Sequence, residues 1–171
     1  MQESIKNSFS DNLVDEVTSS TRLKGELTDE IVDKNTKESK TVNQGHNMIM
    51  IGCHKLIASL IAGKSDSSTG LYFAVGGSNN ALNAGDENLQ DLLFKIPIKD
   101  KDIVLSEDGT VLTVSAEFPD VAPDGIEDAK YNTIWQECAI FKGDFMLNRK
   151  IHSAIDKNSD MILKRTFKFT F

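Results

Sequence analysis

Two short stretches carry residue types that could bind a phosphate. Ala62-Gly63-Lys64-Ser65 resembles the end of a nucleotide-binding loop, in which backbone amides cradle phosphates and a lysine reaches the outermost ones. Further on, AVGGSNNALNAG (Ala74 to Gly85) crowds three glycines and three asparagines behind a short apolar run. Neither meets the requirement in full. The first glycine of a phosphate loop would fall at Ala58, and Gly63-Lys64-Ser65 follows a helical pattern instead of opening a helix after a strand. A dinucleotide fingerprint needs three spaced glycines entering a helix, whereas Gly76 and Gly77 are adjacent and the next is Gly85. Lys64 therefore reads as a surface loop residue. Gly76 to Asn80 reads as a turn, because glycine takes backbone angles other residues resist and Asn79 and Asn80 tolerate the left-handed region.

The remaining reactive side chains are scattered. His46, His54 and His152 fall in three different predicted elements, and His54, three residues before Ile57 on a helix, is expected to be a satisfied histidine at the core edge. Cys53 and Cys138 lie in apolar segments with no second ligand at zinc spacing and read as buried free thiols. No Gly-x-Ser-x-Gly elbow presents a nucleophile. Asp120, Asp124, Glu127 and Asp128 could offer oxygen ligands to calcium, but they lack the ordered spacing of a calcium loop, and a solvated loop is the plainer reading. Trp135 could stack on a sugar, yet its place in the apolar run TIWQECAIF favours the core. The residues nominate no catalytic group, cofactor, metal or small-molecule substrate.

The elements that would position these residues are mostly strands. Alternation at Leu23, Gly25 and Leu27, then Ile31 and Val32, followed by a polar loop and a run ending at Val42, predicts a β-hairpin. Next comes one amphipathic helix over about 47–63, with Asn47 as its cap, Met50, Cys53, Ile57, Leu60 and Ile61 on its buried face, and Gly63 ending it in a left-handed turn. Strands are expected from Leu71 to Val75 and in LFKIPI, with a helical turn around Glu87 to Leu92. Asp108-Gly109 splits a long strand-like stretch into a tight hairpin. Further strands are TIWQECAIF, DFMLNRKI and the terminal MILKRTFKFTF, in which Phe167, Phe169 and Phe171 alternate with polar residues. Trp135, Phe141, Phe167, Phe169 and Phe171 are the expected structural core. Ahead of all this, residues 1–21 place Ile5, Phe9, Leu13 and Val17 four apart, an amphipathic helical arm whose stripe must pack on its own domain or on a neighbouring subunit.

The expected fold is mainly β (α+β): an antiparallel β-sandwich or barrel-like domain over 22–171 with one packed helix, preceded by the arm. Its 171 residues suit one main domain, and the 39% apolar content suits a folded one. A net charge of −7 argues against a nonspecific grip on nucleic acid. The charge is uneven: residues 41–141 carry 14 acidic and 6 basic groups, residues 142–171 carry 3 and 7. Apolar runs such as Met48 to Ile51 are far too short to span a bilayer, and no signal segment opens the chain, so a soluble protein made in the cytoplasm with no membrane contact is expected.

In their order, these pieces resemble a family of small tail-associated structural proteins of bacteriophages, prophages and related contractile particles. The resemblance runs from about Gly25 to Phe171: HNMIMIG leading into the helix, LYFAVGG running into a glycine turn, an acidic spacer before NLQDLLFKIPI, then IWQECAIF and MLNRKIHSAIDKNSDMILKRTFKFTF. Glu137 ahead of Ile140 and Phe141, Arg149 on the following strand, and Lys157 near the turn before Phe-Thr-Phe match the family's pattern. The resemblance implies a virion component of the tail fibre, baseplate or collar, synthesised in the host bacterial cytoplasm, located in the virion tail and assembled in several copies with other tail, baseplate or neck proteins. The chain reaches Phe171 with no fibre shaft or receptor-binding domain, which points to an adaptor, with Ile5, Phe9, Leu13 and Val17 as docking contacts. The alternative is a free-standing carbohydrate-binding or adhesin β-sandwich, with its site at Trp135 and the loop from Pro119 to Tyr131. A hydrolase is a distant third.

Overall fold

A computed structural model describes residues 23–64 and 70–171. The predicted arm, with Ile5, Phe9, Leu13 and Val17, lies outside the described residues. Nine strands form one sheet: β1 (Lys24–Asp33), β2 (Ser39–Ile49), β3 (Leu71–Gly76), β4 (Leu92–Pro97), β5 (Ile103–Leu105), β6 (Val111–Phe118), β7 (Ile134–Lys142), β8 (Phe145–Asp156) and β9 (Met161–Thr170). Their spatial order is β4-β3-β7-β8-β2-β1-β9-β6-β5, and every pairing is antiparallel.

The expectation of an antiparallel β fold holds, but the architecture is a single sheet curled into a half-barrel, neither two separate sheets nor a closed barrel. The curl turns on β2. Its first part lies along β1, while only Met48 and Ile49 reach β8, opposite Arg149 and Asn148. Bending there brings β3 across from β9 and β6, so that the Phe73 ring stacks on Phe167 at 5.8 Å and meets Phe118 edge-on at 6.0 Å. The concave face so formed is the main core. Period-two alternation fills it: Leu163, Phe167 and Phe169 of β9 with Val114 and Phe118 of β6 and Leu27 of β1. Burying such side chains contributes roughly 1.5–3 kcal/mol each.

Four local expectations are corrected. Asn47 does not cap the helix; it sits in β2, its side chain against Gly25, and α1 (Ile51–Ile61) starts from an extended Met50 with no side-chain cap. The strand runs on because Asn47 still pairs with Gly25 in the β1 ladder. On α1 only Cys53 and Leu56 are buried; Ile57, Leu60 and Ile61 are exposed, since the helix packs through its first two turns, where Gly52 touches the Met146 backbone. Phe171 is 54% exposed, because it lies just past the last ladder pair of β9, whereas Trp135, Phe141, Phe167 and Phe169 are buried. The stretch around Glu87 to Leu92 makes turns rather than a helical turn. Other signals read as expected: Gly63 ends α1 at φ 64°, and Asp108-Gly109 turns the β5–β6 hairpin with Gly109 at φ 73°.

Candidate functional site

The AVGGSNNALNAG stretch shows why it is glycine-rich. Gly76 and Gly77 have ordinary negative-side backbone angles, and among the described residues only Lys37 is a non-glycine at positive φ. What the glycines supply is room. A Cβ on Gly76 would stand 2.5 Å from Glu137 Oε1 and 2.7 Å from the Asp91 carbonyl, and one on Gly77 would stand 2.6 Å from Asp91 Oδ2. Residues 77–91 fold back here over the outer face of β3, β7 and β8, where Leu89 joins Met50, Ala74, Ala139, Phe141 and Met146 in a second, smaller core.

A polar clasp fastens that loop. Glu137 and Arg149, on the neighbouring strands β7 and β8, are both fully buried. Glu137 Oε2 accepts from Arg149 Nε at 2.9 Å and Nη2 at 2.6 Å, while Oε1 accepts from the Asp91 amide at 2.9 Å. Arg149 Nη1 then donates to Asp86 Oδ2 at 2.5 Å. The Asp91 carbonyl accepts from the Gly77 amide at 3.0 Å. The buried ion pair thus holds the loop at Asp86 and at its end, Asp91, which in turn binds Gly77, and the carboxylate and guanidinium have no face open to solvent.

A second buried network lies on the concave side. Asp29 takes a two-pronged pair of bonds from Arg165, Nε to Oδ1 at 2.6 Å and Nη2 to Oδ2 at 2.7 Å, and a third from Asn43 at 3.1 Å. Arg165 Nη2 also lies 2.9 Å from His152 Nε2, and His152 Nδ1 lies 2.8 Å from the Ser153 carbonyl. A guanidinium can only donate, so His152 is neutral with its proton on Nδ1 and accepts at Nε2. Burial, reinforced by Arg165, pushes its pKa down to about 4. Burial works against the Asp29 charge, yet Arg165 and its hydrogen bonds win and the pKa ends below the usual value. Cys138 nearby is pushed up to about 12 by burial and stays a thiol.

The other candidates separate. Trp135 is fully buried, boxed edge-on by Phe94, Phe118 and Tyr131, and its Nε1 donates to the Tyr131 carbonyl at 3.0 Å, so no face is free to stack on a sugar. The Pro119–Tyr131 loop ends in a single helical turn, α2 (Asp128–Tyr131), held by the Tyr131 hydroxyl donating to the Pro119 carbonyl at 2.7 Å. Three of its four acids have separate partners: Asp120 with Lys34, Glu127 with Lys130, Asp128 with Asn132. Lys157 is buried with its ammonium 4.7 Å from the Tyr131 ring centre and donating to the Asn158 carbonyl at 2.9 Å; burial lowers its pKa to about 8. His54, expected at the core edge, is exposed on α1, and His46 is exposed beside Glu26. Among the described residues, no group of three or more His, Cys, Asp or Glu could hold a metal ion, and no helix is long and apolar enough to cross a membrane. A groove of about 380 Å³ beside the clasp mixes Lys55 and Lys95 with Asp86, Glu87 and Asp144, and one of about 610 Å³ runs between residues 96–102 and the edge of β6.

Sequence reading pointed to Glu137, Arg149 and Lys157 through the resemblance and missed the Asp29–Arg165 pair. A signal for it existed: both residues occupy inward slots in otherwise apolar alternations, Leu27-Asp29-Ile31 and Leu163-Arg165-Phe167, and they sit opposite one another in the ladder. Comparison with protein-family models, with curated proteins and with solved structures finds no match to this chain.

Proposed function

We propose that this chain is a non-enzymatic structural subunit of a bacteriophage or phage-like tail, assembled in several copies and joining tail, baseplate or neck neighbours through protein contacts. One observation carries the reading. Glu137, Arg149 and Lys157, polar residues that the resemblance singles out, are engaged inside the chain: the first two fasten Asp86 and Asp91 to the sheet, and the Lys157 ammonium bonds the Asn158 carbonyl and lies over the Tyr131 ring. Residues used in this way specify a scaffold. Contact surface for neighbours is then supplied by what the scaffold leaves uncovered. Val104 and Leu105 are exposed on β5, a three-residue strand at the end of the sheet order, where another chain's strand can add.

The test is mass spectrometry of purified particles from the source strain, together with a particle-assembly assay. The chain should be recovered in particles at a fixed ratio to other tail proteins. Its absence from intact particles would overturn the reading, as would a glycosidase or esterase screen showing turnover abolished by a single point substitution. For the docking contacts proposed at Ile5, Phe9, Leu13 and Val17, a full-length variant with Phe9→Glu and Leu13→Glu should be lost from particles.

A further inference from the structure

Among the described residues, nothing lies under the apolar face of the last turn of α1. Cys53, Leu56 and Leu60 follow one another at three and four residues, so they share one helical line. Cys53 and Leu56 are 7% and 8% exposed, yet Leu60 is 47% exposed, and its neighbours Ile57 and Ile61 are 37% and 83% exposed. The described residues that bury the first two turns do not extend beneath the third. Three aliphatic side chains in one turn form a patch that ordinary scatter of surface hydrophobics does not produce.

Position and charge identify the occupant. Gly25 stands opposite Asn47, four residues before α1 begins at Ile51, and Leu23 packs against the main core. The described chain therefore begins on the strand beside the one that leads into the helix, about 13 Å, four residues of strand rise, from the helix start. Leu60 lies roughly 14 Å along α1, well within the ~33 Å that twenty-two residues cover even at helical rise. Residues 51–64 carry Lys55 and Lys64 and no acidic group, whereas residues 1–20 carry four acidic groups and one basic. Residues 1–20 also supply the matching apolar positions, Ile5, Phe9, Leu13 and Val17. A tether this short presents the segment at about millimolar effective concentration, which favours the chain's own segment over that of a second copy in dilute solution.

We infer that residues 1–20 dock through Ile5, Phe9, Leu13 and Val17 on the Ile57, Leu60 and Ile61 face of the same chain's α1. The inference stands whether or not the chain belongs to a tail. In a dense assembly the same two surfaces are the halves of a contact that copies can exchange at low cost.

The test uses the full-length chain at micromolar concentration. With Leu13→Cys and Ile61→Cys introduced together, a short bismaleimide should give a cross-linked product of monomer mass; the native Cys53 and Cys138 are buried. Adding Phe9→Glu should abolish that product. In hydrogen exchange, peptides covering residues 57–64 should exchange about tenfold faster in the Phe9→Glu/Leu13→Glu variant than in the parent, while β9 peptides stay unchanged as the control for folding. A cross-link found only at dimer mass would overturn the inference in favour of a second copy. No cross-link, with the Ile61→Cys thiol alkylated as fast as a free thiol, would overturn it outright; this arm decides even where the glutamate variant fails to fold.

Discussion

Replacing Arg149 by alanine tests whether the buried clasp organises the loop over β3, β7 and β8. The substitution removes both bonds to Glu137 Oε2 and the bond to Asp86, leaving Glu137 fully buried with only the Asp91 amide at Oε1. Breaking a buried ion pair from one side costs about 3–5 kcal/mol, because the remaining charge keeps its desolvation penalty and loses its partner. For a domain of this size that lowers the melting temperature by about 10 °C. Urea denaturation followed by the fluorescence of the lone, buried Trp135 measures the loss directly. Hydrogen exchange should show the amides of Gly77 and Asp91 opening far more often, since both depend on the clasp. The double variant Glu137→Gln/Arg149→Met should recover part of the loss, because it removes the orphaned charge. A cost for Arg149→Ala below about 1 kcal/mol, with Gly77 and Asp91 still protected, would refute the clasp, since that is the range of a surface pair.

Three further outcomes follow from the same geometry. His152, held neutral beside Arg165 with a folded pKa of about 4 against 6.5 unfolded, makes the unfolded state bind more protons between those values. Stability should therefore be full above pH 6.5 and fall by on the order of 3 kcal/mol as pH drops to about 4, with Asp29 protonation adding a loss below 3.8; urea titrations across pH check this, and His152→Gln should flatten the upper segment. Gly76→Ala should cost about 1–3 kcal/mol by overpacking against Glu137 and Asp91, while Gly70→Ala, which meets nothing within 4 Å, should stay within about 0.5 kcal/mol by thermal melting. Phe169→Ala should cost roughly 3–5 kcal/mol and Phe171→Ala under about 1 kcal/mol, a contrast in chemical denaturation that follows from 2% against 54% exposure.

Much of the strand content was legible because local chemistry set it. Alternation at Phe167 and Phe169, the Asp108-Gly109 turn and Gly63 at the end of α1 each rest on near-neighbour sterics and periodicity. The errors arose where distant chain intervened. Asn47 looks like a helix cap in its own neighbourhood, but the β1 ladder holds it in a strand. Leu60 continues an amphipathic pattern, but no part of the described body lies under it. Gly76 and Gly77 suggested unusual backbone angles and instead make room for a carboxylate 61 and a carbonyl 15 residues further along, at Glu137 and Asp91.

An antiparallel β protein with one amphipathic helix and buried thiols is legible in the residues alone, because periodicity and turn chemistry act over a few residues. That the sheet is single and curled, that Arg149 meets both Glu137 and Asp86, and that Asp29 meets Arg165 across 136 positions emerges with the packed fold. Those pairings depend on strand order and on low-dielectric burial, which make a partnered charge tolerable and an unpartnered one prohibitive; neither quantity is written in any local stretch of the chain.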